Sequence, residues 1–206
     1  MLGAIAGDIF GAAYEARPMK REDFDLFDAP RFFTDDTVLT VATADALLGD
    51  RDYAAAYRRW GRRYPNRGYG GTFRQWLGGH IQGPYNSFGN GSAMRVSPVG
   101  WAFDTLEETL AEAERSAAVT HDHPEGIKGA QAVAAAVFLA QRGATKEDIR
   151  HEITAHFAYD LARTVAEIRP HYRFDVTCQG SVPEALIAFL DADDFEHALR
   201  PVSYTH

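Results

Sequence analysis

The run from Glu125 to Gln141 is rich in alanine and apolar almost all the way round. A helix of that kind has no face to offer to water, so other helices must surround it, and it is expected as the central core helix. Pro124 suits its first turn, where a missing N–H costs no intrahelical bond. Around this run the chain is a succession of helix signals. Thr105 to Val119 is an acidic amphipathic pattern. Thr145-Lys146-Glu147-Asp148 opens a helix expected to run through Ala155 and Tyr159 toward Val165. Ser181-Val182-Pro183-Glu184 places Ser181 at an N-cap and Glu184 at N3, and Asp193 to Leu199 adds a further turn or two. Asp52 to Tyr64 sets Tyr53, Tyr57 and Trp60 on one face and Arg58, Arg59, Arg62 and Arg63 on a solvated one, and Phe73 to Leu77 forms a short helix. No β-alternation of useful length and no internal repeat occur, so the class is all-α, with one domain over residues 1–206.

Chemistry concentrates in a few stretches. Phe33-Thr34-Asp35-Asp36-Thr37 opens an apolar run, Val38 to Leu48, that ends at Gly49. Thr34 or Asp35 reads as the N-cap of that helix, and one carboxylate completes the cap. The carboxylate of Asp36 is surplus. Two adjacent carboxylates flanked by threonine hydroxyls form a set of hard oxygen ligands suited to Mg²⁺ or Ca²⁺, although an acidic first turn favoured by the helix macrodipole has the same pattern.

Before it, Gly3, Gly7 and Gly11 recur every four residues, a bare stripe along one helix face where another backbone can approach closely. Asp8 and Glu15, two turns apart, share a face of that helix and are costly to bury there unless paired or bound to a cation. Further on, Gly89, Asn90 and Gly91 tolerate positive φ, so that successive N–H groups can turn toward one anion, with helical residues following. His121-Asp122-His123 precedes Pro124, and its alternating histidines could bind a transition metal or simply take hydrogen-bonded partners.

The net charge of -8 leaves no basic surplus for phosphate backbones, so nucleic acid is not an expected partner. Cys178 is the only cysteine, which leaves no intramolecular disulfide and fits a cytoplasmic location. No signal peptide or membrane span is read from the sequence.

Gly7-Asp8-Ile9-Phe10-Gly11-Ala12-Ala13-Tyr14-Glu15, Phe33-Thr34-Asp35-Asp36-Thr37, Gly89-Asn90-Gly91-Ser92-Ala93-Met94-Arg95 and Thr120-His121 with Pro124 follow one another in an order and approximate spacing that resemble the ADP-ribosylglycohydrolase family. The likeness extends over roughly residues 1 to 200. It implies an orthogonal all-α fold holding two Mg²⁺ ions that position ADP-ribose for cleavage of the bond from its anomeric carbon to a protein side chain or a small conjugate. Carried over residue by residue, it makes Thr34, Asp35 and Asp36 metal ligands, with Glu15 and Asp36 as the catalytic carboxylates. Phe88, Gly89, Asn90, Gly91, Ser92, Ala93 and His121 would then hold the substrate. The mechanism expected by analogy is charge stabilisation of an oxocarbenium-like transition state.

The sequence departs from the family pattern where a second acidic motif of the Gly-Gly-Asp-Ser/Thr-Asp-Thr type is expected. It reads Arg200-Pro201-Val202-Ser203-Tyr204-Thr205-His206 there instead. Lacking the last helices, such a chain is expected to hold one Mg²⁺ or bind it weakly, and to self-associate through an uncovered C-terminal face. Alternatives to a hydrolase are therefore a non-catalytic ADP-ribose-binding module and an inactive remnant.

Overall fold

The computed structural model describes residues 1–15 and 30–205; the side chains of Glu15 and of residues 201–205 lie outside the described residues. Its elements are α1 (Leu2–Glu15), α2 (Asp35–Leu48), α3 (Tyr53–Arg63), α4 (Gly71–Leu77), α5 (Gly91–Met94), α6 (Val99–Ala102), α7 (Leu106–Ala118), α8 (Pro124–Gln141), α9 (Lys146–Phe157), α10 (Val165–Ile168), α11 (Cys178–Asp191) and α12 (Phe195–Thr205). Among the described residues there is no strand, only an isolated antiparallel bridge between Gly89 and Thr177. The all-α expectation holds.

Helix α8 is the centre. Its side chains Ala130, Ala132, Ala134 and Ala135 are buried, and α5, α6, α7, α9 and α11 all pack against it. Small residues let so many neighbours approach one axis, and the burial of their apolar surfaces stabilises the arrangement at about 25 cal/mol per Å². A second core joins α2, α3 and α4 through Leu39, Tyr57 and Trp76. Here the aromatic face read from the sequence is buried at Tyr53 and Tyr57, and Arg59, Arg62 and Arg63 are exposed as expected, whereas Arg58 is half-buried. The Arg58 guanidinium lies 4.0 Å from the centre of the Trp76 ring, and Arg62 Nε donates to the Leu77 carbonyl at 2.9 Å.

Helices α3 and α7 are tied by a buried carboxylate. Tyr53 Oη donates to Glu112 Oε1 at 2.7 Å, and Arg115 Nη1 approaches Glu112 Oε2 at 3.2 Å. Burial and the adjacent carboxylate push the Tyr53 phenol well above its ordinary pKa. Tyr53→Phe is expected to cost about 1.5–3 kcal/mol, the value of a hydrogen bond to a charged group, read as a lower urea midpoint with an unchanged slope.

Three helix boundaries differ from the sequence reading. Helix α11 begins ahead of the expected Ser181, at Cys178, with Thr177 as N-cap: Thr177 Oγ1 accepts from Gly180 N at 3.1 Å. The first turn is fixed from outside, because Cys178 N donates to the Phe88 carbonyl at 2.8 Å. Pro183 therefore stands inside the helix, and the Ser181 hydroxyl donates back to the Thr177 carbonyl. Helix α9 stops at Phe157 rather than continuing toward Val165. Ala158 turns left-handed, φ 54°, and this lets Tyr159 and Leu161 drop into the core. Helix α12 runs to Thr205, longer than the turn or two expected.

Candidate functional site

A cavity of about 840 Å³ opens between the two cores, and several of the stretches singled out in the sequence meet on its wall. Helix α1 contributes Gly7, Asp8 and Gly11; the start of α2 contributes Asp35 and Asp36; Gly68 to Thr72 and Phe88 to Gly91 contribute loops; His121 closes one side. Phe174 to Thr177 complete it, and no alternation or cap signal in the sequence marks that segment.

Asp8 organises the acidic turn. Its Oδ2 accepts from Thr34 N at 2.8 Å and Thr37 N at 3.2 Å, its Oδ1 accepts from Thr34 Oγ1 at 2.6 Å, and it also accepts from the Thr37 hydroxyl. A carboxylate from one helix thus caps the N-terminus of another, where orphan N–H groups and the macrodipole favour it. The pairing that the sequence demanded for a carboxylate on α1 is this one. Thr34 is the N-cap of α2, with Oγ1 accepting weakly from Asp36 N at 3.3 Å.

From the other side, Asp35 N donates to the Arg67 carbonyl at 2.7 Å, and Arg67 Nη1 donates to the Phe33 carbonyl at 3.2 Å. Gly68 has φ +98°, a conformation that favours glycine, and a Cβ there would stand 3.0 Å from Asp35 Oδ1. The acidic turn is held between Asp8 and the Arg67-Gly68 backbone, a clasp that sequence reasoning misses at both ends.

Among the described residues, the glycine stripe of α1 does not seat another backbone. Gly3 faces the Phe195 ring, Gly7 faces the Leu199 side chain, and Gly11 lines the cavity. Nor do Gly89 and Gly91 adopt positive φ; Asn90 is helical, with φ -74° and ψ 0°. The loop is instead held by pairing, since Asn90 N donates to the Val176 carbonyl at 2.8 Å and the Phe88 carbonyl accepts from Cys178 N. That fixed geometry replaces the expected ring of converging N–H groups, and it presents the loop edge to the cavity.

Phe88 is exposed at the rim, Gly89, Asn90 and Gly91 line the wall, and Ser92 and Ala93 are buried behind it. Ser92 Oγ donates to the Gly126 carbonyl at 2.7 Å. Gly91 is needed for close approach: a Cβ there would stand 3.1 Å from His121 Nε2. Gly91→Ala is expected to displace the His121 ring and to cost about 1 kcal/mol or more, read from the urea midpoint.

His121 is buried, with Nδ1 2.7 Å from Thr120 Oγ1. Burial, and then the charge of Arg95, pull its pKa down to about 3, so it is neutral at physiological pH. His123 acts elsewhere, as a helix cap. Its Nδ1 accepts from Glu125 N at the N-terminus of α8, while Asp122 accepts from Asn86 N. Among the described residues no group of three or more His, Cys, Asp or Glu gathers at a point where a metal ion could sit. The cysteine is inert. Burial pushes the Cys178 thiol up to about 11.

An all-α fold with an acidic helix start facing a paired glycine loop across one cavity defines a class, and likeness to known proteins identifies it. The ADP-ribosylglycohydrolase family model matches residues 1–202, and the chain belongs to that family. It is 29% identical to ADP-ribosylhydrolase ARH3 of Bos taurus over 76% of this chain and 53% of that protein. It is 31% identical to the ADP-ribosylarginine hydrolase Tri1 of Pseudomonas putida over 82% of this chain and 50% of that one. A solved structure described as an ADP-ribosylglycohydrolase-related protein complex superposes with a TM-score of 0.71 at 26% identity, over 98% of this chain and 80% of its own. The chain spans about half the length of the curated relatives it matches.

Proposed function

We propose that the cavity binds ADP-ribose and that the chain hydrolyses the glycosidic bond linking it to an ADP-ribosylated protein or a small conjugate, with Mg²⁺ as cofactor. The observation that carries this reading is the meeting of Asp35 and Asp36 with Phe88, Gly89, Asn90, Gly91 and His121 on one cavity wall.

The donor set fits a hard cation. Asp35 and Asp36 line the cavity side by side, and the Thr34 hydroxyl beside them is held in place by Asp8. Mg²⁺ binds through one or two carboxylates plus water and substrate oxygens, so Thr34, Asp35 and Asp36 suffice to hold an ion without a third acidic side chain. Bound there, the ion would supply Lewis acidity to ribose oxygens.

The protein's own residues do the rest. Phe88 to Gly91 fix the diphosphate end of the ligand, and the neutral imidazole of His121 gives that end a hydrogen-bonding partner without adding charge. In hydrolysis a water oxygen bonds to the anomeric carbon as the bond to the acceptor nitrogen or oxygen breaks; one proton leaves the water and one reaches the acceptor. Asp36 and Glu15 are the proposed carboxylates for that proton traffic; the Glu15 side chain lies outside the described residues. The test uses an ADP-ribosylarginine conjugate, the chemistry named for the Pseudomonas putida relative, beside a conjugate linked through oxygen. Metal-dependent release of ADP-ribose from either supports the reading. Tight ADP-ribose binding with no release from both would favour a non-catalytic binding module.

A further inference from the structure

Among the described residues that line the cavity, Asp8, Asp35, Asp36 and Asp175 are carboxylates, and Arg95 is the only lysine or arginine. From these residues an entering anion meets one fixed positive charge, and that charge has no anion of its own. Arg95 is fully buried; its Nη2 donates to Thr120 Oγ1 at 2.9 Å and to the Ser116 carbonyl at 3.2 Å, and its guanidinium carbon sits 4.1 Å from the centre of the Tyr57 ring. Among the described residues, Nε and Nη1 find no hydrogen-bond partner and no carboxylate forms an ion pair with the group. Burying a guanidinium in this way costs free energy that packing alone does not return, and an anion held nearby would offset that cost.

One threonine and one imidazole separate the guanidinium from the Gly89 to Gly91 loop. The Thr120 hydroxyl that accepts from Arg95 lies 2.7 Å from His121 Nδ1, and the opposite ring nitrogen, Nε2, borders Gly89 and Gly91. Burial closes Arg95 off from direct contact, so it acts on an anion at the loop through its charge. A charge enclosed in protein is screened far less than one at the surface. The imidazole between them registers it: burial, and then the Arg95 charge, keep His121 neutral. With His121 uncharged, the positive charge on this side of the cavity is that of Arg95.

We propose that Arg95 is a positioning residue whose buried, unpaired charge draws the diphosphate of the ligand to the Gly89 to Gly91 loop, acting across Thr120 and His121 without touching the ligand. An ion pair within the protein would cancel that field; the lack of one keeps it for the ligand. The identity of the ligand rests on the ADP-ribose reading, whereas the call for an anion rests on Arg95 itself.

The experiment titrates the full chain with ADP-ribose, with adenosine, which keeps the nucleoside and lacks the phosphates, and with inorganic pyrophosphate. In Arg95→Met, ADP-ribose and pyrophosphate are expected to bind about tenfold more weakly while adenosine changes by less than about twofold; Arg95→Lys, which keeps the charge, stays within about threefold of the wild type for all three. A second pair of variants decides the matter should Arg95→Met fail to fold. Thr120→Asp gives the guanidinium an anion and is expected to weaken both phosphate ligands about tenfold relative to Thr120→Asn, its uncharged counterpart. Equal losses for ADP-ribose and adenosine in Arg95→Met overturn the proposal, as does phosphate binding that neither Arg95→Met nor Thr120→Asp weakens. A wild-type chain that binds pyrophosphate in an Arg95-dependent way but no ADP-ribose leaves the anion site standing and the ADP-ribose reading rejected; binding of neither rejects both.

Discussion

Asp36→Ala is expected to lower kcat/KM for ADP-ribose release on the order of 10³-fold, with the fold intact. Asp36 lies in the first turn of α2 and lines the cavity, and the capping of that turn does not depend on it. Thr34 and Thr37 are held by Asp8, and Asp35 N by the Arg67 carbonyl. The stability cost includes the macrodipole contribution, roughly 0.3–1 kcal/mol, and the weak hydrogen bond that Asp36 Oδ2 accepts from Thr34 Oγ1 at 3.3 Å, while alanine itself is a good helix former. What the variant removes is half of the paired carboxylates proposed to hold the cation, and with it the charge that a developing oxocarbenium needs nearby. The check is the rate of ADP-ribose release at saturating Mg²⁺, beside a urea titration of the same preparation. Release that continues at the wild-type rate in Asp36→Ala rejects the proposed mechanism.

Asp8→Ala is expected to behave in the opposite way, with a large effect on stability and only an indirect effect on the ion. Four donors from Thr34 and Thr37 converge on this one carboxylate, and it joins α1 to α2. Two of the four are backbone N–H groups at a helix start, where removal leaves them without partners. At about 1 kcal/mol for each of the four donors left unsatisfied, the expected loss is about 4 kcal/mol, read from the urea midpoint. Asp8→Asn should fall between the two, because its amide retains one oxygen but turns an NH₂ toward donors. Mg²⁺ affinity should drop about 10- to 100-fold through loss of the support behind Thr34 and its neighbours. A stability change within about 0.5 kcal/mol would show that the clasp is incidental.

The helical architecture is legible because each long helix announces itself locally. The apolar run of α8, the Asp52 and Thr105 caps and the capping box at Thr145 are all properties of a few neighbouring residues. The boundaries that differ depend on distant partners. Helix α11 starts at Cys178 because the carbonyl of Phe88, far back in the chain, accepts its first N–H, and no local signal at Thr177 competes with the stronger pattern at Ser181. The candidate site divides the same way. Asp35, Asp36 and the Gly89 to Gly91 loop are conspicuous as surplus carboxylates and adjacent glycines. Asp8 as a clasp, Arg67 as the carbonyl that accepts from the acidic turn and Arg95 as a buried cation are defined only by the groups that fold against them. Even the glycines serve an end that their type does not disclose: Gly91 makes room for the His121 ring and has no positive φ.

The central claim, that this cavity holds ADP-ribose with the help of a metal ion at Asp35 and Asp36, is tested most directly by calorimetric titration of the chain with ADP-ribose, once with Mg²⁺ and once with excess chelator. Binding with Mg²⁺ that weakens at least about tenfold in chelator is the predicted result. Equal affinity in both would contradict the metal's part in the site, and no binding in either would contradict the site itself.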